Sequence, residues 1–189
     1  MGGAFTCTAH FFMLIKNMII SKHIQKPIDL PSFFIQGKIE LDTNYFIEKI
    51  KKECEENKEH NYKSNVKGLK TGWKFFNHDL NFINVLVQLS EYVDKEKLSK
   101  PYVLMESWGI ELRQFEYTIF HDHNCEWAGV IYLNSCDQEL IFPQIKQKVK
   151  PEPGTFALFS GFLEHGCNRK MDEGSKFGIS FNMHEQKSW

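Results

Sequence analysis

Phe120-His121-Asp122-His123-Asn124-Cys125-Glu126-Trp127 is the stretch on which the reading of this chain turns, taken together with His165 further on. Side chains alternate across an extended backbone, so histidines two residues apart point the same way. A third imidazole, delivered by a later segment, can complete one face of a metal site. Three protein ligands with coordination positions left open is what a catalytic metal requires. A single buried histidine is usually structural; a His-x-His pair with a distant third is the pattern of a ligand set. The expectation is that His121, His123 and His165 hold a redox-active iron.

Around this stretch the second half of the chain reads as strands, at 102–108, 110–123, 128–133, 139–142, 144–149, 155–159 and 176–182. Asn134-Ser135, Pro151-Glu152-Pro153-Gly154, Ser160-Gly161 and Asp172-Glu173-Gly174 supply the turns between them. The first half differs. Residues 28–39 read as one or two short extended segments. Asp42 or Thr43 can cap a helix in which Phe46, Ile47, Ile50 and Cys54 recur at helical spacing. Residues 65–73, with Gly68 and Gly72, read as a loop. A second helix, over 81–92 and capped by Asp79, carries the stripe Phe82, Val85, Leu86 and Leu89. Two supporting helices followed by strands predict an α+β domain with a jelly-roll sandwich or barrel.

The chain has 189 residues, enough for one domain with a substantial core. Its net charge of -1 gives no electrostatic case for a nucleic-acid partner. Cys7, Cys54, Cys125, Cys136 and Cys167 show no C-x-x-C spacing, which argues against a disulfide framework and for a reducing, cytoplasmic setting. Cys125 and Cys136 near the histidines raise structural zinc as an alternative, but match no standard finger spacing. No apolar run approaches the ~18 residues of a membrane span. Residues 1–20 are apolar but interrupted by Lys16 and Asn17, and lack the basic start of a signal peptide. They read as a poorly ordered or loosely packed lead-in, with Met13 or Met18 as alternative starts, before one domain over 21–189.

Several of these pieces resemble one family. His121-Asp122-His123, Trp127-Ala128-Gly129-Val130-Ile131-Tyr132-Leu133, Pro151-Glu152-Pro153-Gly154, Phe159, His165 and Lys176-Phe177-Gly178-Ile179-Ser180-Phe181-Asn182 follow each other as in iron(II)- and 2-oxoglutarate-dependent oxygenases, of the type found in phage and marine microbial genomes. The resemblance covers about the last half of the chain. It implies a double-stranded β-helix of the cupin-like jelly-roll type, with iron near its mouth and His121 and His165 as ligands. The wider family has Asp or Glu two residues after the first histidine, where this chain has His123. A neutral imidazole does not offset the metal's charge as a carboxylate does. Asp122 would need a bulge to turn inward, and Glu126 is a further nearby carboxylate, so the second ligand stays open among His123, Asp122 and Glu126.

The resemblance also implies 2-oxoglutarate, whose far carboxylate needs a cation. Lys176 stands where the family usually has arginine, and a lysine serves as a point charge. Gly178 replaces the family's following serine, and Arg169 is the fallback cation. Tyr132 and Tyr117 could offer hydroxyls to the same carboxylate. Asn182 is either a strand-end residue or a group that orders the site, and joins Lys176 and Tyr132 as a cofactor-binding candidate. Trp108, Trp127, Phe159 and Phe181 read as core or as cavity walls. The implied activity is a dioxygenase using O2 to hydroxylate a small molecule or peptide, with release of succinate and CO2. The rivals are a cupin-like metalloenzyme without 2-oxoglutarate and a non-catalytic β-helix binding module. Substrate and oligomeric state are not written in the sequence.

Overall fold

The computed structural model describes residues 19–24, 31–92, 102–167 and 173–186. The strands are β1 (Ile19–Ile24), β2 (Pro31–Lys38), β3 (Val66–Lys67), β4 (Leu69–Lys70), β5 (Tyr102–Leu112), β6 (Tyr117–Thr118), β7 (Trp127–Tyr132), β8 (Leu140–Phe142), β9 (Gln147–Val149), β10 (Thr155–Ser160) and β11 (Lys176–Glu185). The helices are α1 (Thr43–Glu56) and α2 (Leu80–Tyr92). Seven strands form one antiparallel sheet in the order β1-β2-β10-β7-β11-β5-β4, and β3-β6 and β8-β9 form two small pairs. The α+β expectation holds at the level of a largely antiparallel sheet with few helices.

β7 and β10 are buried along their whole length, as strands covered on both faces must be. Alternation then splits their residues between two cores. Ile131, Phe156, Leu158, Phe177, Ile179 and Phe181 face the helices, against Phe46 and Ile50 of α1 and Phe82, Val85 and Leu89 of α2. The opposite faces of the same strands carry Ala128, Val130, Tyr132 and Phe159, covered by Leu140, Phe142, Ile145 and Val149 of the β8-β9 region. Trp108, Ile110 and Leu112 continue this second face toward Val66. The helices close one side of the sheet, which leaves the other side for a site.

The helix caps fall where the sequence places them. Asp42 accepts from the Tyr45 amide at 3.1 Å and Asp79 from the Phe82 amide at 3.0 Å. Asp79 also joins the two helices, accepting from Lys49 Nζ at 2.6 Å and Tyr45 Oη at 2.8 Å. Burial alone would raise its pKa; the bonds from Lys49, the Phe82 amide and Tyr45 outweigh that and hold the carboxyl below its usual range. Asp79→Ala should cost about 2 kcal/mol in urea unfolding, since it removes a cap and a partly solvated ion pair together. A depressed folded value means this stabilisation is present above the ordinary carboxylate pKa and is lost as pH falls through the folded one. The gap between wild type and variant should therefore narrow below pH ~4.

Three expectations change. Residues 65–73 are not simply a loop, because β3 and β4 pair with β6 and β5. Gly68 permits this: a Cβ there would lie 2.6 Å from Leu112 Cδ2 and 2.9 Å from the Glu111 carbonyl oxygen. The strand expected over 110–123 stops at Leu112, where a turn closed by Glu116 N–H to Arg113 O at 3.0 Å, with Phe115 at φ 67°, moves the chain out of the large sheet. The strand expected over 144–149 begins as a 3-10 turn, Pro143–Ile145, and becomes extended only after Lys146 in the left-handed region. Of the expected lead-in, residues 1–18 lie outside the described residues, while Ile19 and Ile20 belong to β1. No helix among the described residues is long and apolar enough to cross a membrane.

Candidate metal centre

The turn after Leu112 sends the His-x-His segment across the open face of the sheet as extended but irregular backbone. Two backbone hydrogen bonds fix it there: His121 N–H to His165 O at 3.0 Å and His165 N–H to His121 O at 2.9 Å. His123 N–H donates to Gly161 O at 2.8 Å, so both histidines are registered against the segment that follows β10. The i, i+2 spacing keeps His121 and His123 on one side, and Asp122 faces solvent.

The ligand atoms of His121, His123 and His165 all lie within 4.8 Å of one another, the one such cluster among the described residues. Nδ1 of His121 is 2.7 Å from Ile119 O and Nδ1 of His165 is 2.9 Å from Leu163 O. A carbonyl can only accept, so each Nδ1 carries the proton and each Nε2 is left with a lone pair. His123 Nε2 lies 3.3 Å from His165 Nε2. Two nitrogens bound at right angles to one ion at ~2.1 Å would be ~3 Å apart, so the pair already stands close to the bite a metal imposes. Burial lowers all three pKa values, that of His123 to about 4 and that of His165 well below the ordinary value. The site therefore offers three neutral imidazoles at neutral pH. This donor set fits a borderline first-row divalent ion such as iron.

Neither nearby carboxylate joins the cluster. Glu126 accepts from the Glu185 amide at 3.1 Å and faces His184 Nδ1 at 3.2 Å, away from the triad. Cys125 and Cys136 are also outside it, and both are free thiols.

The triad opens into an inner cavity of about 50 Å3 whose walls include Trp108, Tyr132, Phe159, Cys167, Lys176 and Asn182. Lys176 is 1% exposed and donates from Nζ to the Gln138 carbonyl at 3.1 Å, with Cys167 Sγ at 3.4 Å. Among the described residues it has no carboxylate partner. Asn134 secures its position, donating to Ser175 O at 2.7 Å and accepting from Phe177 N–H at 2.8 Å, on either side of the lysine. Burial raises the Tyr132 phenol pKa well above its usual value, so that hydroxyl stays a donor. Asn182 donates Nδ2 to Glu106 Oε2 at 2.9 Å. Trp127 and Tyr117 do not line this cavity, and Arg169 lies outside the described residues. A wider cleft of about 750 Å3, lined by Phe33, Tyr102, Trp127, Phe162 and His184, reaches the site at His123.

Sequence reasoning passed over Cys167 and Gln138. Cys167 was findable, because it follows His165 by two residues and so shares its face. Gln138 acts through its backbone carbonyl, which leaves no side-chain signal.

Gly166 packs closely against the backbone that carries His121. A Cβ there would meet Phe120 N and Cα at 2.8 Å, and the residue exchanges backbone bonds with Ile141 at 2.8 and 3.1 Å. Gly166→Ala should push His165 off its bridge to His121 and weaken cobalt(II) binding ~10–100-fold, the cost typical of misorienting a ligand. Titration followed by visible absorption checks this.

No protein-family profile matches the chain, and no curated protein matches it in sequence. Solved structures do match in fold. The viral collagen prolyl hydroxylase vCPH of Paramecium Bursaria Chlorella virus-1, solved with 2OG, aligns with a TM-score of 0.60 at 16% identity over 78% of this chain and 94% of its own. HygX of Streptomyces hygroscopicus, solved with nickel, 2-oxoglutarate and hygromycin B, gives 0.62 at 13% identity over 80% and 82%. A Pseudomonas putida prolyl-4-hydroxylase gives 0.60 at 12% identity over 82% and 93%. These neighbours are 2OG-Fe(II) oxygenases, and the chain has their fold. At such identities the likeness is one of fold.

Proposed function

We propose that this chain is an iron(II)- and 2-oxoglutarate-dependent dioxygenase that hydroxylates its substrate. It would be built as one double-stranded β-helix domain over residues 21–189. The observation that carries the reading is the convergence of three neutral imidazoles on a cavity that also holds a buried lysine with no carboxylate partner among the described residues. Fold neighbours solved with 2-oxoglutarate and with nickel or iron support the same cofactors here.

His121, His123 and His165 would hold the metal through Nε2. Lys176 would pair with the far carboxylate of 2-oxoglutarate, and Tyr132 would donate its phenol beside it. The inner cavity is narrow, so the dicarboxylate enters as Lys176 exchanges its contacts with Gln138 and Cys167 for the ligand. Asn182 would border the metal end. When bound, the iron and 2-oxoglutarate would supply the oxidising chemistry, one oxygen atom of O2 going into succinate as CO2 is lost and the other into a hydroxylated carbon. The chain's own part would be to orient both ligands and to wall them off from water with Trp108 and Phe159, while Phe181 packs on the helix side of the sheet. The free thiols of Cys54, Cys125, Cys136 and Cys167 suit a reducing, cytoplasmic setting.

The test is succinate release from 2-oxoglutarate with iron(II) and O2, run with wild type and with metal stripped by a chelator. Succinate above the stripped background is expected. A protein that binds iron but neither binds nor consumes 2-oxoglutarate would be a cupin-like metalloenzyme instead. A protein that retains no metal would be a binding module.

A further inference from the structure

Two buried polar atoms on the cavity wall have no hydrogen-bond partner among the described residues: Trp108 Nε1 and Asn182 Oδ1. The residues are 4% and 7% exposed, and both line the cavity that holds the triad. An indole N–H can only donate. The identity of the free Asn182 atom is equally fixed. Its other amide atom lies 2.9 Å from a Glu106 carboxylate oxygen, which accepts, so that atom is the nitrogen and the oxygen is left over.

The two residues lie on neighbouring strands. Trp108 of β5 pairs with Ser180 of β11, and Glu106 pairs with Asn182. Trp108 and Asn182 are thus diagonal neighbours on one face of adjacent strands, a spacing that lets two side chains reach the same small group. The Trp108 and His123 rings are 6.2 Å apart between centroids, which places the indole beside the triad. Buried polar groups without partners are costly and uncommon in folded proteins, and a ligand is one way such groups are satisfied.

The oxygen of Asn182 restricts what that ligand can be. A carboxylate has no proton to give it, so 2-oxoglutarate satisfies Trp108 at most. We propose that Trp108 and Asn182 form a donor–acceptor pair that reads an uncharged cis-amide edge on the substrate. In such an edge, found in a lactam or a primary carboxamide, C=O and N–H lie side by side. Trp108 donates to the carbonyl, Asn182 accepts from the N–H, and Glu106 positions Asn182. The substrate class follows as one presenting this edge next to the carbon to be oxidised, and it rests on the oxygenase reading above.

The test uses zinc-loaded protein holding 2-oxoglutarate, labelled with 15N, and follows the Trp108 indole resonance, assigned by its loss in Trp108→Phe. δ-Valerolactam should shift this resonance saturably in the millimolar range. N-methyl-δ-valerolactam, which lacks the N–H, and N-methylacetamide, a trans amide, should bind at least ten-fold more weakly. Asn182→Leu should remove the preference for the lactam over its N-methyl form, while Trp108 still reports. Equal binding of the two lactams by wild type would overturn the proposal. So would a resonance that 2-oxoglutarate alone moves and the lactam does not. Failure of the oxygenase reading shows separately, as no zinc or 2-oxoglutarate binding in the same sample, and the lactam comparison can then be read on metal-free protein.

Discussion

His165→Ala should raise the dissociation constant for iron(II), or for cobalt(II) as a spectroscopic substitute, by more than ~100-fold, beyond the loss typical of altering a ligand's support. The reason is geometric. His165 is the shared member of the cluster, bridged to His121 through the backbone and 3.3 Å from His123 through Nε2. Its ring also fills space between Phe142 and Phe159, at centroid distances of 5.5 and 4.6 Å. Alanine therefore leaves a void as well as an empty coordination position, and His165→Gln, which keeps more of the volume, separates the two effects. Both variants should fail to retain metal, while His78→Ala, at an exposed histidine, should bind as wild type. Metal binding by folded His165→Gln at wild-type affinity would remove the triad from the account. Acid provides a second check. A histidine of ordinary pKa begins losing metal to protons near pH 6.5, whereas burial lowers His123 to about 4. Retention should therefore persist into more acidic solution than an exposed three-histidine site allows. In chelated protein the same depression makes stability pH-dependent. It is fully present above the unfolded value near 6.5 and falls away as pH drops toward the folded value.

The triad could be read from the sequence because the spacing of His121 and His123 carries its own geometry. Two residues of extended chain place two side chains on one side, whether or not the segment belongs to a sheet. For that reason the error about the strand over 110–123 did not affect the site. The turn at Arg113–Glu116 is made by a side chain reaching back three residues, the Arg113 N–H donating to Glu116 Oε2 at 2.7 Å, with no glycine or proline to announce it. The helices were legible for the opposite reason, since Asp42, Asp79 and the stripe of Phe46, Ile50 and Cys54 are all local signals. What could not be read were groupings made by register. Asn182 faces Glu106 only because β11 lies antiparallel to β5, across a separation of 76 residues. That His123 and not Glu126 stands in the cluster has the same origin: Glu126 is drawn to the far end of β11 by the Glu185 amide and His184.

Lys176→Met should leave metal binding intact and weaken 2-oxoglutarate binding by ~100-fold or more, since unpairing a buried charge costs about 3–5 kcal/mol. Methionine preserves the reach of the side chain and removes only the ammonium. The substitution should not unfold the protein. The lysine's present partners are a carbonyl and a thiol, and replacing a buried charged group by an apolar one of similar volume is often neutral or stabilising. Metal and dicarboxylate are thus expected to separate cleanly: the histidine variants lose both, and Lys176→Met loses only the second. Calorimetric titration of 2-oxoglutarate into zinc-loaded protein measures this. The absence of a carboxylate from the triad sharpens the expectation. With three neutral ligands a bound ion would keep its full charge, and Lys176 would add another in the same cavity, so a dianion would be attracted at both ends. Zinc should accordingly bind more tightly when 2-oxoglutarate is present, and by linkage the dicarboxylate should bind more tightly when zinc is. Lys176→Met weakens the anchor at one end, and the residual affinity then reports what the metal contributes alone. Unchanged 2-oxoglutarate affinity in Lys176→Met would mean that the far carboxylate is paired elsewhere, and Lys176 would revert to a structural group tying β11 to the Gln138 carbonyl.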